Sequence, residues 1–327
     1  MPRPKIQPVI WQPPKSNTRP RDSLPALTVL HVNGHGTEDV VVDDNGHLFT
    51  GVADGRILRL TADGRRLDTV ADTGGRPLGL ELHPDGRLLV CDAAKGLLLV
   101  DRGSGEIEVL VARGPKLRVC NNAAIASDGT IYFTDSTSRF DLEHYMADLI
   151  EHSGTGRLLR RDPDGSLHVV LGGLQFANGV ALAKDESYLV VAQTGAYRLD
   201  RVWLTGDKVG TAEVLDDNLP GFPDNLATGS DGLIWVAMAS PRDRLLDQLH
   251  GRNPLFRKAV WALPEQLRPK EKRTVWVRAV DGTTGRTVHE YYGTPPGFHM
   301  VTGVRERDGK VYLGSLQERA IAVFTVP

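Results

Sequence analysis

Cysteine is nearly absent. Cys91 and Cys120 are the only two in 327 residues, too far apart in sequence to imply a disulfide framework and without the CxxC spacing of a zinc knuckle. That scarcity fits a reducing compartment, and the expectation is cytoplasmic. Long apolar runs are missing too: nothing approaches the roughly 18 to 20 consecutive apolar residues of a membrane-spanning helix. The opening MPRPKIQPVIWQPPKSNTRPRDSLP carries charge and proline where a secretory leader needs a continuous apolar stretch. Neither charge sign dominates, since 39 Lys and Arg against 41 Asp and Glu leave a formal net charge of -2. No basic cluster stands out, which argues against a nucleic-acid partner. There is no GxSxG elbow, no HExxH, no GxxxxGK[ST] and no GxGxxG opening a βαβ unit, so several enzyme classes fall away. His31 and His35 are the only close histidine pair in a plausible loop, and no third or fourth zinc ligand accompanies them. Nothing in the chain indicates an oligomeric state.

What the chain does have is punctuation: 35 glycines and 20 prolines separate short apolar runs throughout, the pattern of a many-stranded antiparallel protein. Val40-Val41-Val42, the turn Asp44-Asn45-Gly46, then His47 to Gly51, the turn Asp54-Gly55 and Arg56 to Leu60 read as strand, turn, strand, turn, strand. The same order recurs from Gly79, Asn122, Asn178, Asp224 and Val301. The turn glycines Gly46, Gly86 and Gly129 follow one another at intervals of 40 and 43 residues, the length of a four-stranded propeller blade. Asp-Gly hairpins alone would also fit a meander or a sandwich. The recurring order predicts an all-β fold, a six-bladed β-propeller over 26–327 preceded by a proline-rich N-terminal arm over 1–25.

Two segments break the strand rhythm. Between Asp141 and His152, residues Leu142, Tyr145, Met146, Leu149 and Ile150 recur at helical spacing. The stretch from Pro241 to Pro269 also reads as helical, interrupted at Gly251 and Pro254. Such insertions on one face either roof the central pocket or cover strand edges.

Oxygen-bearing residues precede the first strand of successive repeats: Glu38, Asn121, Asn178 and Asp224. The first strand of a blade lines the central channel, so equivalent loops converge on the axis. Carboxylates and amides together make a hard-cation ligand set, calcium above all, with other divalent ions open. Singly, each has an ordinary alternative, because Asn-Gly and Asp-Asn are common turn dipeptides.

The phrases GTEDVVVDDNGHLFTGVADGRILRL, FANGVAL and PGFPDN resemble the strictosidine-synthase-like branch of the superfamily that includes gluconolactonases, senescence-marker-protein homologues and paraoxonases. The resemblance runs from about Gly36 to Thr325 and implies a six-bladed propeller with an axial calcium used on lactones, esters or organophosphates. It places calcium ligands at Glu38, Asn121, Asn178 and Asp224, with Asn225 adjacent. Relatives often carry Asn-Asp where this chain has Asn121-Asn122, and Glu where it has Gln193, which places Asn122 and Gln193 as substrate-pocket candidates. Strictosidine synthase keeps its key Glu in the stretch matching Met300 to Gly303, where no acid stands here, so its metal-independent condensation is disfavoured.

The resulting expectation is a calcium-dependent lactone or ester hydrolase acting on a small molecule. Asp224 or His299 would serve as general base, and Phe298 and His299 would overhang the channel mouth. Cys120 reads as a packed small hydrophobe. The rival is a non-catalytic scaffold that offers the helical segment Arg242 to Arg268 to a protein or membrane partner.

Overall fold

A computed structural model describes residues 3–15, 22–264 and 271–327. Six sheets of antiparallel strands are arranged as blades. Each inner strand comes first in its repeat: Val41–Val42, Pro77–Leu82, Cys120–Ile125, Ala177–Leu182, Gly221–Thr228 and Val301–Arg307. The last blade is completed by Thr28–His31, which pairs antiparallel with Ala320–Thr325 and joins the two ends of the ring. Asp22–Ser23 adds a short parallel strand beside Thr287–Gly293.

Strand alternation explains why the apolar runs are continuous. In Ile234–Pro241, Ile234 and Val236 pack with Val190 and Trp276 toward the preceding blade, while Trp235 and Ala237 pack with Val304 and Leu313 toward the following one. A strand buried on both faces has no polar side to expose. Trp235 and Trp276 are fully buried on opposite faces of this blade, each removing roughly 150 to 250 Å² from water.

The first insertion forms the helix α1 (Tyr145–Glu151), reached through a short 3-10 turn at Leu142–His144. The second forms α2 (Arg244–His250) and α3 (Pro254–Ala262). Asp243 caps α2 by accepting from the Leu246 N–H, and Asn253 caps α3 ahead of Pro254, with the break falling where Gly251 and Pro254 predict it. Residues 265–270, including the end of that segment at Arg268, lie outside the described residues, as do 1–2 and 16–21 of the arm.

The arm runs along α3. The Arg3 guanidinium donates to Leu263 O at 2.7 Å, Trp261 Nε1 donates to Pro4 O at 2.9 Å, Arg257 Nη2 donates to Val9 O at 2.6 Å, and Trp11 N donates to His250 O at 3.1 Å. Ile6 enters a cluster with Phe140, Ala147, Ile150 and Trp261, so the arm and all three helices share one packing unit. Trp11 stacks on His152 with ring centroids 4.1 Å apart and meets His250 edge-on at 5.4 Å.

Candidate functional site

Five of the six inner strands start with an irregularity. Pairing with the second strand slips between Pro77 and Leu80, Cys120 and Ala123, Ala177 and Val180, Pro223 and Leu226, and Val301 and Val304. A bulge re-aims the side chains it carries. Here the bulges turn Leu78, Asn121, Asn178, Asp224 and Thr302 into one axial cavity, and Glu38, from the loop before the first blade's inner strand, completes the set. All four oxygen-bearing residues picked out by position in the repeat are thus brought together. Leu78 and Thr302, the other two members of the ring, carry no such signal beyond their equivalent position.

The next residue in each blade follows a second rule. Around the ring these are Asp39, Gly79, Asn122, Gly179, Asn225 and Gly303, side chain alternating with glycine. A Cβ on Gly79 would lie 2.6 Å from Asn121 O, one on Gly179 2.6 Å from Asp224 O, and one on Gly303 2.6 Å from Glu38 O. Each glycine therefore admits the backbone of the following blade's ligand residue. Asp39 and Asn122 bind forward, Asp39 Oδ2 accepting from Leu80 N at 3.0 Å and Asn122 Oδ1 from Val180 N at 2.9 Å.

The polar chemistry of the cavity floor is specific. Asn121 Nδ2 donates to Ser136 Oγ at 2.9 Å and Asn178 Nδ2 donates to Thr194 Oγ1 at 3.1 Å. The Asn121 nitrogen is thereby held off and that of Asn178 is shared between Thr194 and Asp224, while Asn121 Oδ1 and Asn178 Oδ1 are buried without a hydrogen-bond partner. Asn225 Nδ2 donates to Glu38 Oε2 at 3.1 Å and Oε1 at 3.3 Å, and Asn225 Oδ1 is a third orphaned oxygen. Burial pushes the Glu38 carboxyl well above its ordinary range, and the neighbouring Asp224 and Asp39 push it further. Burial likewise raises Asp224 to about 8 against hydrogen bonds from Asn178 and the Asn225 N–H, with Asp39 adding to the rise. Two crowded buried carboxylates, Glu38 and Asp224, and the two orphaned amide oxygens of Asn121 and Asn178 form a donor set that fits a hard divalent cation. Among the described residues, no group of three His, Cys, Asp or Glu side chains is placed to hold a metal, so the fit rests on carboxylates with neutral amides.

Above this floor the walls are apolar, from Leu142, Tyr145, Met146, Leu149 and Ile150 at the first insertion, through Phe176 and Phe222, to Leu245, Leu246 and Leu249 of α2. The helices roof the pocket. The apolar residues whose spacing predicts the first helix are the ones it presents to the cavity. The cavity holds about 150 Å³, the size of an engineered void that takes benzene.

Other sequence candidates point elsewhere. His299 does not line this cavity: Nδ1 pairs with Glu318, and Nε2 lies 2.9 Å from Gln317 Oε1 and 3.1 Å from Arg273 Nη1. Phe298 is fully buried in the core beside Trp235 and Val301 rather than overhanging the mouth. Gln193 is also buried, with Oε1 accepting from Gln175 N at 2.8 Å and Nε2 bound to Asp200, so it supports a strand and does not tune the pocket. Asn122 pins two blades together, as described, and Asn225 reaches the site only through Glu38. For Asn122 and Asn225 alternation is the reason, since neighbours on a strand leave it on opposite sides. Cys120 is buried and packed with Cys91, and burial raises its thiol well above the ordinary value. The hydroxyls of Ser136 and Thr194, which orient the two amides, went unrecognised in the sequence; their shared place just after the second strand was the available signal.

Comparison with known proteins places this site in context. The strictosidine synthase family model matches residues 121–207, and the strictosidine synthase-like, N-terminal model matches 20–60. The adipocyte plasma membrane-associated protein of Rattus norvegicus is 32% identical, covering 91% of this chain and 86% of its own. Strictosidine synthase-like 10 of Arabidopsis thaliana is 32% identical over 96% of this chain and 92% of its own. A gluconolactonase from Xanthomonas campestris superposes with a TM-score of 0.67 at 18% identity, covering 100% of this chain and 99% of its own. The calcium-binding protein regucalcin from Agrobacterium tumefaciens superposes at 0.64 and 16% identity, covering 92% and 94%. These two likenesses establish a fold shared with lactonase-type propellers. No helix among the described residues is long and apolar enough to cross a membrane.

Proposed function

The chain belongs to the strictosidine synthase-like family, and from that premise we propose that it is a calcium-dependent hydrolase of lactones or esters bearing an apolar substituent. The observation that carries this reading is the floor of the cavity, where the oxygens of Asn121 and Asn178 lack partners beside Glu38 and Asp224. Glu38, Asn121, Asn178 and Asp224 would hold the ion, which supplies Lewis-acid polarisation of an ester carbonyl. Asn225 fixes the Glu38 carboxylate through its two amide contacts. Asp224, which lines the cavity and, unlike Glu38, is not fixed by the Asn225 amide, is assigned as the acid or base of the reaction. The roof excludes water, and the apolar walls take the substrate's hydrocarbon part. No acid stands in Met300 to Gly303, the stretch matching the condensing synthase's key Glu, which disfavours its deprotonation chemistry here.

Calorimetric titration of chelator-stripped protein with calcium is the first test, with one-to-one binding expected. Glu38→Gln and Asp224→Ala are expected to abolish binding and to lower hydrolysis of a phenyl ester or a medium-chain lactone by at least about 100-fold. Gluconolactone, polar on every side, is expected to be a poor substrate. Absence of calcium binding, or full hydrolysis by both variants, overturns the reading.

A further inference from the structure

Large exposed apolar side chains are unevenly spread over this molecule. Val109, Val169, Val209, Val214 and Val288 are spread over the outer parts of four blades, as is ordinary for a surface. Val9, Ile10, Leu245, Leu255, Phe256 and Leu263 instead fall in two stretches that are hydrogen-bonded to each other, the arm and the α2–α3 segment. On α3 the division is sharp. Arg257 and Trp261 face inward and are buried, whereas Leu255 and Phe256 are 67% and 54% exposed, so the solvent side of this helix is itself apolar.

Charge is segregated in the same two stretches. In residues 3–15 and 244–264 every exposed charged side chain is basic: Arg3, Lys5, Lys15, Arg244, Arg252 and Lys258. The single acid in the two stretches, Asp247, is half-buried and ion-paired with Arg242 at 3.0 Å. The whole chain carries a formal charge of -2, so this concentration of cations runs against the average. Exposed apolar side chains interspersed with lysine and arginine are the composition that an interfacial helix lays into a bilayer, with hydrocarbon below the headgroups and cations among them. An acidic protein partner would satisfy the cations and leave Leu255 and Phe256 without a reason to be exposed.

We propose that this face docks on an anionic lipid surface, with Leu255, Phe256, Val9 and Ile10 entering the interface and the six cations contacting acidic headgroups. Leu245 belongs both to the exposed face and to the cavity wall, so docking sets the roof of the cavity against the membrane. The inference does not depend on the catalytic reading, because nothing in it involves the axial oxygens.

The test is co-sedimentation of the full chain with vesicles of phosphatidylcholine alone and of phosphatidylcholine containing about a third phosphatidylserine. Binding is expected only to the anionic vesicles, and it should be lost when salt is raised from about 0.1 M to about 0.5 M. Lys258→Glu is expected to weaken binding roughly tenfold. The double variant Leu255→Asp, Phe256→Asp should abolish it while leaving thermal unfolding unchanged, since both side chains are in water in the free protein. Absence of sedimentation with anionic vesicles overturns the proposal, as does undiminished binding by the double variant. A concentration-dependent dimer that this variant dissociates, without vesicle binding, would assign the face to a second copy of the chain and also overturn it.

Discussion

The two ends of an asparagine amide are chemical opposites, and at Asn121 and Asn178 a hydroxyl decides which end faces the axis. Ser136 Oγ and Thr194 Oγ1 each take an amide N–H, which leaves a bare oxygen over the cavity floor. Ser136→Ala and Thr194→Ala are therefore expected to weaken calcium binding by about tenfold each, with little change in thermal unfolding, because the amide regains freedom to turn its nitrogen inward. Calorimetry on the single variants checks this. His299→Ala, by contrast, is expected to leave turnover within about twofold of the parent and to cost stability of about 1 kcal/mol through the lost Glu318 and Gln317 contacts; rates measured beside a urea titration separate the two effects. Chemical type and repeat position made Glu38, Asn121, Asn178 and Asp224 legible in the sequence. Direction was legible only in part: Asn122 stands one residue from a ligand candidate and strand alternation sends it away from the cavity, while Phe298, in the loop ahead of the last blade's inner strand, is taken up by the core.

At the scale of elements, the arm and three helices are held by a buried polar cluster whose members respond to pH in opposite senses. Burial lowers His152 to about 4, with Arg257 adding to it, and His250 to about 3, with His152 and Arg257 adding to it. The unfolded chain takes up those protons near pH 6.5 and the folded chain does not, so this contribution to stability falls as pH drops from about 6.5 toward 4. Asp148 works the other way. Burial raises it to about 7, so its folded form costs stability above that pH and recovers it on acidification toward its ordinary value. Asp148→Asn is expected to stabilise the protein at pH 8 and to steepen its loss of stability between pH 6.5 and 4.5. Urea midpoints of both proteins at pH 8, 6.5 and 4.5 give the comparison, and an unchanged slope would refute it. Helical periodicity revealed α1, and Gly251 with Pro254 revealed the break between α2 and α3. The docking of the arm could not be read, because proline-rich chain has no period and its partners, such as Arg257, lie more than two hundred residues away.

For the whole molecule, closure is the decisive event. Thr28–His31 is the outer strand of the last blade, and Leu30 packs in the seam with Tyr312, Ile321 and Val40. Leu30→Asp is expected to destabilise the protein by about 3 kcal/mol and to promote self-association through the loosened edge; denaturant titration and light scattering read the two consequences. The blade count was plain from the recurrence of apolar run, turn and apolar run. The strand that closes the ring was not, because it lies ahead of the first recognisable repeat and carries only four residues, Thr28–His31. The alternation of Asp39, Gly79, Asn122, Gly179, Asn225 and Gly303 also bears on ancestry and engineering. A blade here is not an interchangeable part. Inserting or deleting one would bring two side chains face to face at a seam, or leave two glycines opposite each other. The smallest portion of this ring that can be duplicated, transplanted or permuted without reshaping its axis is a pair of neighbouring blades.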